Sequence, residues 1–135
     1  MARLAKLRGL SAAEWRILAT AWLLLLIAPL LLRVLPLRRL LGSPRRRRAP
    51  RLPPERVARL VDIAARRVPS APCLSVAIVT ARLLARQGTA ATLRIGVARR
   101  DERLAAHAWL ECGGAPLLDG VGDYTPILAV AVVPP

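Results

Sequence analysis

With 135 residues and a mass of 14.6 kDa, the chain has room for one domain of ordinary size and an appendage, which excludes a large multidomain enzyme. A composition that is 55% hydrophobic excludes disorder throughout, and two cysteines are too few for a secreted disulfide scaffold. The formal charge of +14 is lopsided: residues 1–60 carry +12 and residues 61–135 only +2, so attraction to anionic surfaces belongs to the N-terminal part.

The first structural signal is Ser11-Ala12-Ala13-Glu14. It reads as a capping box, in which the Ser hydroxyl accepts a backbone N–H three residues on and the Glu carboxylate reaches back to the Ser N–H, so a helix is predicted to start there. From Ile17 to Leu32 no residue is charged; Arg16 and Arg33 bracket the run and Pro29 interrupts it. At 1.5 Å per residue the run covers roughly 24 Å, short of the roughly 30 Å of a bilayer's hydrocarbon. Three readings compete for it. A cleaved signal peptide has the right basic start at Arg3, Lys6 and Arg8, but Arg33-Val34-Leu35-Pro36 stands where a small-residue cleavage site belongs. A membrane-inserted or interfacial helix would use the flanking Arg side chains to reach headgroups. A helix buried against the rest of the protein or against a partner is the third.

Residues 44–54 mark a boundary between an N-terminal basic and apolar helical segment, residues 1–43, and a domain over residues 55–135. Four Pro and five Arg fill nine of those eleven positions, so an extended linker is predicted. No aromatic residue is interleaved with the Arg run, so nucleic acid is not an expected partner.

Beyond the linker, Glu55 opens a helix with Val57, Leu60, Val61 and Ala64 on one face, ending by Pro69. A second helix is predicted over residues 73–87, introduced by Pro72 and closed by Gly88. Its Val76, Ala77, Ile78, Val79, Leu83 and Leu84 make it apolar enough to be central to the core. Strands follow at residues 91–98, 103–111 and 115–119, with another over 127–133; residues 99–102 form a polar turn. Helices followed by an antiparallel meander give an α+β fold class.

Scarcity limits the chemistry: His107 is the single His, Asn is absent and Gln87 is the single Gln. A zinc site would have to gather every Cys and His at one point, so no metal is expected. Phosphate-loop, dinucleotide-turn and serine-hydrolase-elbow patterns are missing. Cys73 is the residue placed for reactivity, at a predicted helix N-terminus where unpaired N–H groups and the dipole favour the nucleophilic thiolate. Position alone also suits a small core residue, which is how Cys112 is read. On a strand over residues 103–111 odd positions share a face, which sets Trp109 beside His107. A Cys at a helix start and a His on a following strand suit the thiolate and imidazolium pair of cysteine hydrolases and acyltransferases. Asp119 is the candidate to orient the imidazole, against a plain turn-initiating role before Gly120. A two-residue Gly113-Gly114 turn would pair Ala108 with Asp119, whereas a three-residue loop of Cys112, Gly113 and Gly114 pairs His107 with Asp119. The longer loop is the one predicted. Asp123 and Glu111 are fallbacks, and the Cys73 N–H is one oxyanion donor, with the second unassigned.

These residues in this order resemble the transglutaminase-like leader peptidases of lasso peptide biosynthesis, the split B proteins that carry the protease half alone. The resemblance covers about residues 55–119 and rests on Cys73-Leu74, Leu83-Leu84-Ala85-Arg86-Gln87-Gly88, Leu93-Arg94-Ile95-Gly96-Val97, Ala106-His107-Ala108-Trp109-Leu110-Glu111 and Leu118-Asp119; the hydrophobic N-terminal segment is also of a kind the family shows. It implies a transglutaminase- or papain-like cysteine protease core, with Cys73 as nucleophile, His107 as base and then acid, and Asp119 as its orienting partner. It implies a precursor peptide as substrate, a separate leader-recognition protein, because residues 1–54 leave no room for a fused one, and an asparagine-synthetase-like cyclase. Maturation in the family is linked to ATP, yet no nucleotide motif is present, so no bound cofactor is expected. The expected location is cytoplasmic, with membrane contact left open. Two alternatives stand beside this reading: a related acyltransferase, and a non-catalytic membrane-associated adaptor built on residues 17–32 and the Arg run.

Overall fold

In the computed structural model, which describes residues 8–41, 52–69, 71–117, 122 and 124–132, helices come first and strands follow. They are α1 (Ala12–Val34), α2 (Leu37–Leu41), α3 (Pro54–Ala65), α4 (Cys73–Arg86), β1 (Ala91–Arg100), β2 (Arg103–Cys112), β3 (Ala115–Pro116) and β4 (Thr125–Val132). The fold is α+β, with the helices packed on one face of a four-stranded antiparallel sheet.

The capping box forms at the start of α1. Ser11 Oγ accepts the Glu14 N–H at 3.2 Å, and Glu14 Oε2 accepts the Ser11 N–H at 2.8 Å. The other Glu14 oxygen takes Arg56 Nε at 2.6 Å, which fastens α1 to α3. One narrow face of α1, Ala21, Leu25 and Ala28, enters the core, with the large Leu25 side chain fully buried between the two alanines. Helix α3 answers with Val57, Leu60, Val61 and Ala64, the face its periodicity predicts. Helix α4 is buried along most of its length, from Ala77 through Leu84 and Ala85.

The end of α4 is closed twice. Gly88 takes a left-handed φ of 74°, its N–H donates to Ala85 O at 3.0 Å, and the Thr89 N–H reaches Leu84 O at 3.0 Å. This pair of bonds satisfies carbonyls that a helix end leaves free. Gln87 then clamps the segment entering α3: its Oε1 accepts the Leu52 N–H at 3.3 Å and its Nε2 donates to Leu52 O at 3.2 Å.

The sheet departs from a simple meander. Its order is β3-β2-β1-β4, so β4 returns to the free edge of β1 instead of extending past β3. The two-residue β3 ends in Pro116, which has no N–H to give a further strand, while β1 offers ten residues of edge. The predicted three-residue loop is also overturned. Gly113 and Gly114 are both left-handed (φ 63° and 83°), the geometry of a two-residue turn, and the pairs are Glu111 with Pro116 and Cys112 with Ala115. The linker core at residues 42–51 lies outside the described residues.

Ser11 first and Arg56 second hold the Glu14 carboxyl below its ordinary value of 4.5. The folded chain therefore takes up this proton less readily than the unfolded chain. The stability it contributes is complete above the ordinary value and is lost as pH falls through the lower folded value. Glu14→Gln is expected to lower the melting temperature at neutral pH and to flatten its fall in acid. Superimposable melting curves for the two proteins from neutral to acid pH would show that the cap and the α1–α3 tie contribute nothing.

Candidate active site

Cys73 is the first residue of α4, and the extended Pro72 before it fixes where the helix begins. Pro72 O accepts the Val76 N–H at 3.1 Å, so the N–H groups of Cys73, Leu74 and Ser75 precede the first bond of the helix. Such groups face outward at a helix start and suit an anion or a developing oxyanion. The Cys73 thiol is free and exposed. Two residues on, Ser75 is fully buried, with no partner for its hydroxyl among the described residues.

His107 lies in the middle of β2, opposite Gly96 of β1. Trp109 stacks beside it as strand alternation predicts, with ring centroids 6.0 Å apart and planes 20° apart. Tyr124 closes the other side, 5.1 Å from the imidazole and 6.3 Å from the indole. The sequence reading did not single out Tyr124. It comes to His107 only because β4 pairs with β1, with Thr125 opposite Val97. Arg100 sits over the Tyr124 ring at 5.4 Å.

Trp109 is fixed from below. Its Nε1 donates to Glu111 Oε1 at 3.3 Å, and Glu111 Oε2 accepts Arg94 Nε at 2.6 Å. Gly96 provides the room: a Cβ there would lie 2.7 Å and 2.8 Å from the Trp109 ring and 2.9 Å from Thr125 O.

The two ends of the proposed chemistry are not joined in this arrangement. Ala108 and Leu110 pack into the helical core with Leu93, so alternation turns His107, Trp109 and Glu111 to the opposite face. Cys73 opens a helix of the core layer, and among the described residues no hydrogen bond links its thiol to the imidazole. Asp119 and Asp123 lie outside the described residues, and the register argument that aligned Asp119 with His107 falls with the three-residue loop. The other fallback, Glu111, is engaged by Trp109 and Arg94. Cys112 Sγ meets Ala90 O at 3.4 Å.

A shallow cavity of about 190 Å³ lies at the end of β1 and β2, lined by Thr92, Arg94, Glu111, Gly113 and Gly114 among others. Ligand pockets run to roughly 300–1,000 Å³, and Arg94 is already paired with Glu111. The cavity's volume falls below that range. Among the described residues no three His, Cys, Asp or Glu side chains gather at one point.

A family model described as the transglutaminase-like superfamily matches residues 15–129, a span that takes in α1 as well as the helices and strands around Cys73 and His107. Searches of curated proteins and of solved structures find no match.

Gly96→Ala must displace either the Trp109 ring or the backbone at Thr125. Overpacking of this kind destabilises by about 1–3 kcal/mol. Urea unfolding is expected to show that loss, together with a changed near-ultraviolet signal from the tryptophans. Unchanged stability and an unchanged spectrum would refute the close packing of Trp109 on Gly96.

Proposed function

Since the chain belongs to the transglutaminase-like superfamily, we propose that it is a cysteine peptidase that removes the leader from a lasso peptide precursor, with Cys73, His107 and Asp119 as its triad. The observation that carries this reading is an exposed thiol on the first residue of the buried helix α4, inside the family match. The motifs around His107 and Asp119 support the finer assignment.

In this mechanism His107 takes the Cys73 thiol proton as sulfur attacks the carbonyl at the leader–core junction. The Cys73 N–H faces the oxyanion that forms. Collapse breaks the C–N bond, and the imidazolium returns its proton to the departing core amine. Water, deprotonated by His107, then attacks the thioester and releases the leader as a carboxylate. Asp119 orients the imidazole throughout. Because His107 lies on the sheet face turned from the helical layer and no hydrogen bond joins it to the Cys73 thiol among the described residues, the mechanism requires precursor or partner binding to rearrange β2 and bring the two together. A separate recognition protein presents the leader, and an asparagine-synthetase-like cyclase consumes the new amine. The protein works in the cytoplasm. ATP is linked to maturation through the complex, and no residue of this chain is assigned to it.

Mass spectrometry of the cognate precursor, incubated with the chain, the recognition protein and ATP, with and without cyclase, tests the reading. Wild type is expected to release a leader-sized fragment. Cys73→Ala and His107→Ala should each lose cleavage by at least about a thousandfold, and Asp119→Asn should lose rate more than affinity. Equal cleavage by wild type and Cys73→Ala would sink the thiol mechanism.

A further inference from the structure

Helix α1 has two faces, and the fold uses one. Ala21, Leu25 and Ala28 are buried, with Ile17, Leu18, Leu24, Leu31 and Leu32 packed beside them. The opposite side carries Trp15, Trp22, Leu23, Leu26, Ile27 and Leu30 at helical spacing, and all are open, Trp22 at 43% and Leu30 at 65%. Over the most apolar stretch of α1 mean hydropathy reaches 2.3, yet only 17% of it is buried. A soluble domain rarely leaves so continuous an apolar stripe uncovered.

We propose that this face of α1 docks the domain flat on an anionic lipid bilayer. Charge selects that occupant. Exposed Arg16 and Arg33 stand at the two ends of the stripe, roughly 25 Å apart along the helix. Exposed Arg8 lies just before it. Glu14 is the single acid in residues 1–54, and Arg56 holds it on the domain side. The stripe therefore presents apolar side chains between cationic ends with no opposing charge, the pattern that pairs acyl chains with anionic headgroups. The indoles of Trp15 and Trp22 suit the headgroup boundary.

The same contacts decide orientation. To span the bilayer α1 would have to carry α3 with it, because Glu14–Arg56 and the buried Ala21 and Leu25 hold the two together. Helix α3 presents Arg56, Arg59 and Asp62, which hydrocarbon excludes. The helix lies in the interface, with the domain on its aqueous side. This inference is independent of the peptidase reading.

Flotation of the full chain with phosphatidylcholine vesicles, with and without phosphatidylglycerol, tests it. Binding is expected with the anionic vesicles, weakening as salt rises. It should fall at least tenfold in Leu26→Glu/Ile27→Glu and, as a second variant that spares the apolar face, in Arg16→Glu/Arg33→Glu. Near-ultraviolet spectra check that both keep the fold. Tryptophan emission should shift to the blue and be quenched more by lipids brominated near the headgroup than near the chain end. Absence of binding, or equal binding by the variants, overturns the proposal. So does quenching strongest at the bilayer centre, which means a spanning helix. A lipid-independent dimer abolished by Leu26→Glu/Ile27→Glu also overturns it, by assigning the face to a second copy.

Discussion

Burial of α4 is the constraint on which the rest depends. Helices α1 and α3 pack on one side of it and the β1–β2 face on the other, and Ala81 and Leu84 are fully enclosed. A helix apolar on nearly every side can only be central, so the elements around it are arranged to cover it. Its ends are pinned by different means: Pro72 sets where it begins, and Gly88 with Gln87 sets where it stops. The consequence for chemistry is positional. A buried helix that starts at the surface delivers Cys73 to solvent on a well-packed support, which suits the nucleophile's role proposed for it.

Local signals explain which features were legible in the sequence. The capping box at Ser11 and Glu14, the ends of α4 and the polar turn that includes Asp101 and Glu102 depend on residues within four positions of each other. What the sequence did not disclose depends on register and on pairing across the sheet. A choice between a two- and a three-residue loop shifts every partner by one and flips the face, and the glycine pair took the shorter turn. Tyr124 escaped notice for the same reason, because its place beside His107 follows from β4 crossing to β1. Alternation correctly paired His107 with Trp109, yet it does not say which face of the sheet the helices cover. That choice is made by Ala108 and Leu110 against Leu93.

The sheet face that bears His107 and the outer face of α1 are each organised by specific contacts or charges. Arg94, Glu111 and Gly96 hold Trp109 against His107, while Arg16 and Arg33 bracket an apolar stripe. In the function proposed for the chain, substrate, partner or lipid would complete these surfaces. The gap between thiol and imidazole belongs to the same logic. Under the proposed function, a peptidase that assembled its catalytic pair only on a presented precursor would avoid cutting other peptides, at the expense of activity alone.

The most direct measurement of the central claim is the intact mass of the protein, quenched in acid during turnover of the precursor with its recognition partner. The mechanism predicts a species heavier than the free chain by the leader minus one water, labile to hydroxylamine and mapping to Cys73. Cleavage proceeding without that adduct, or with the adduct on any other residue, would contradict it.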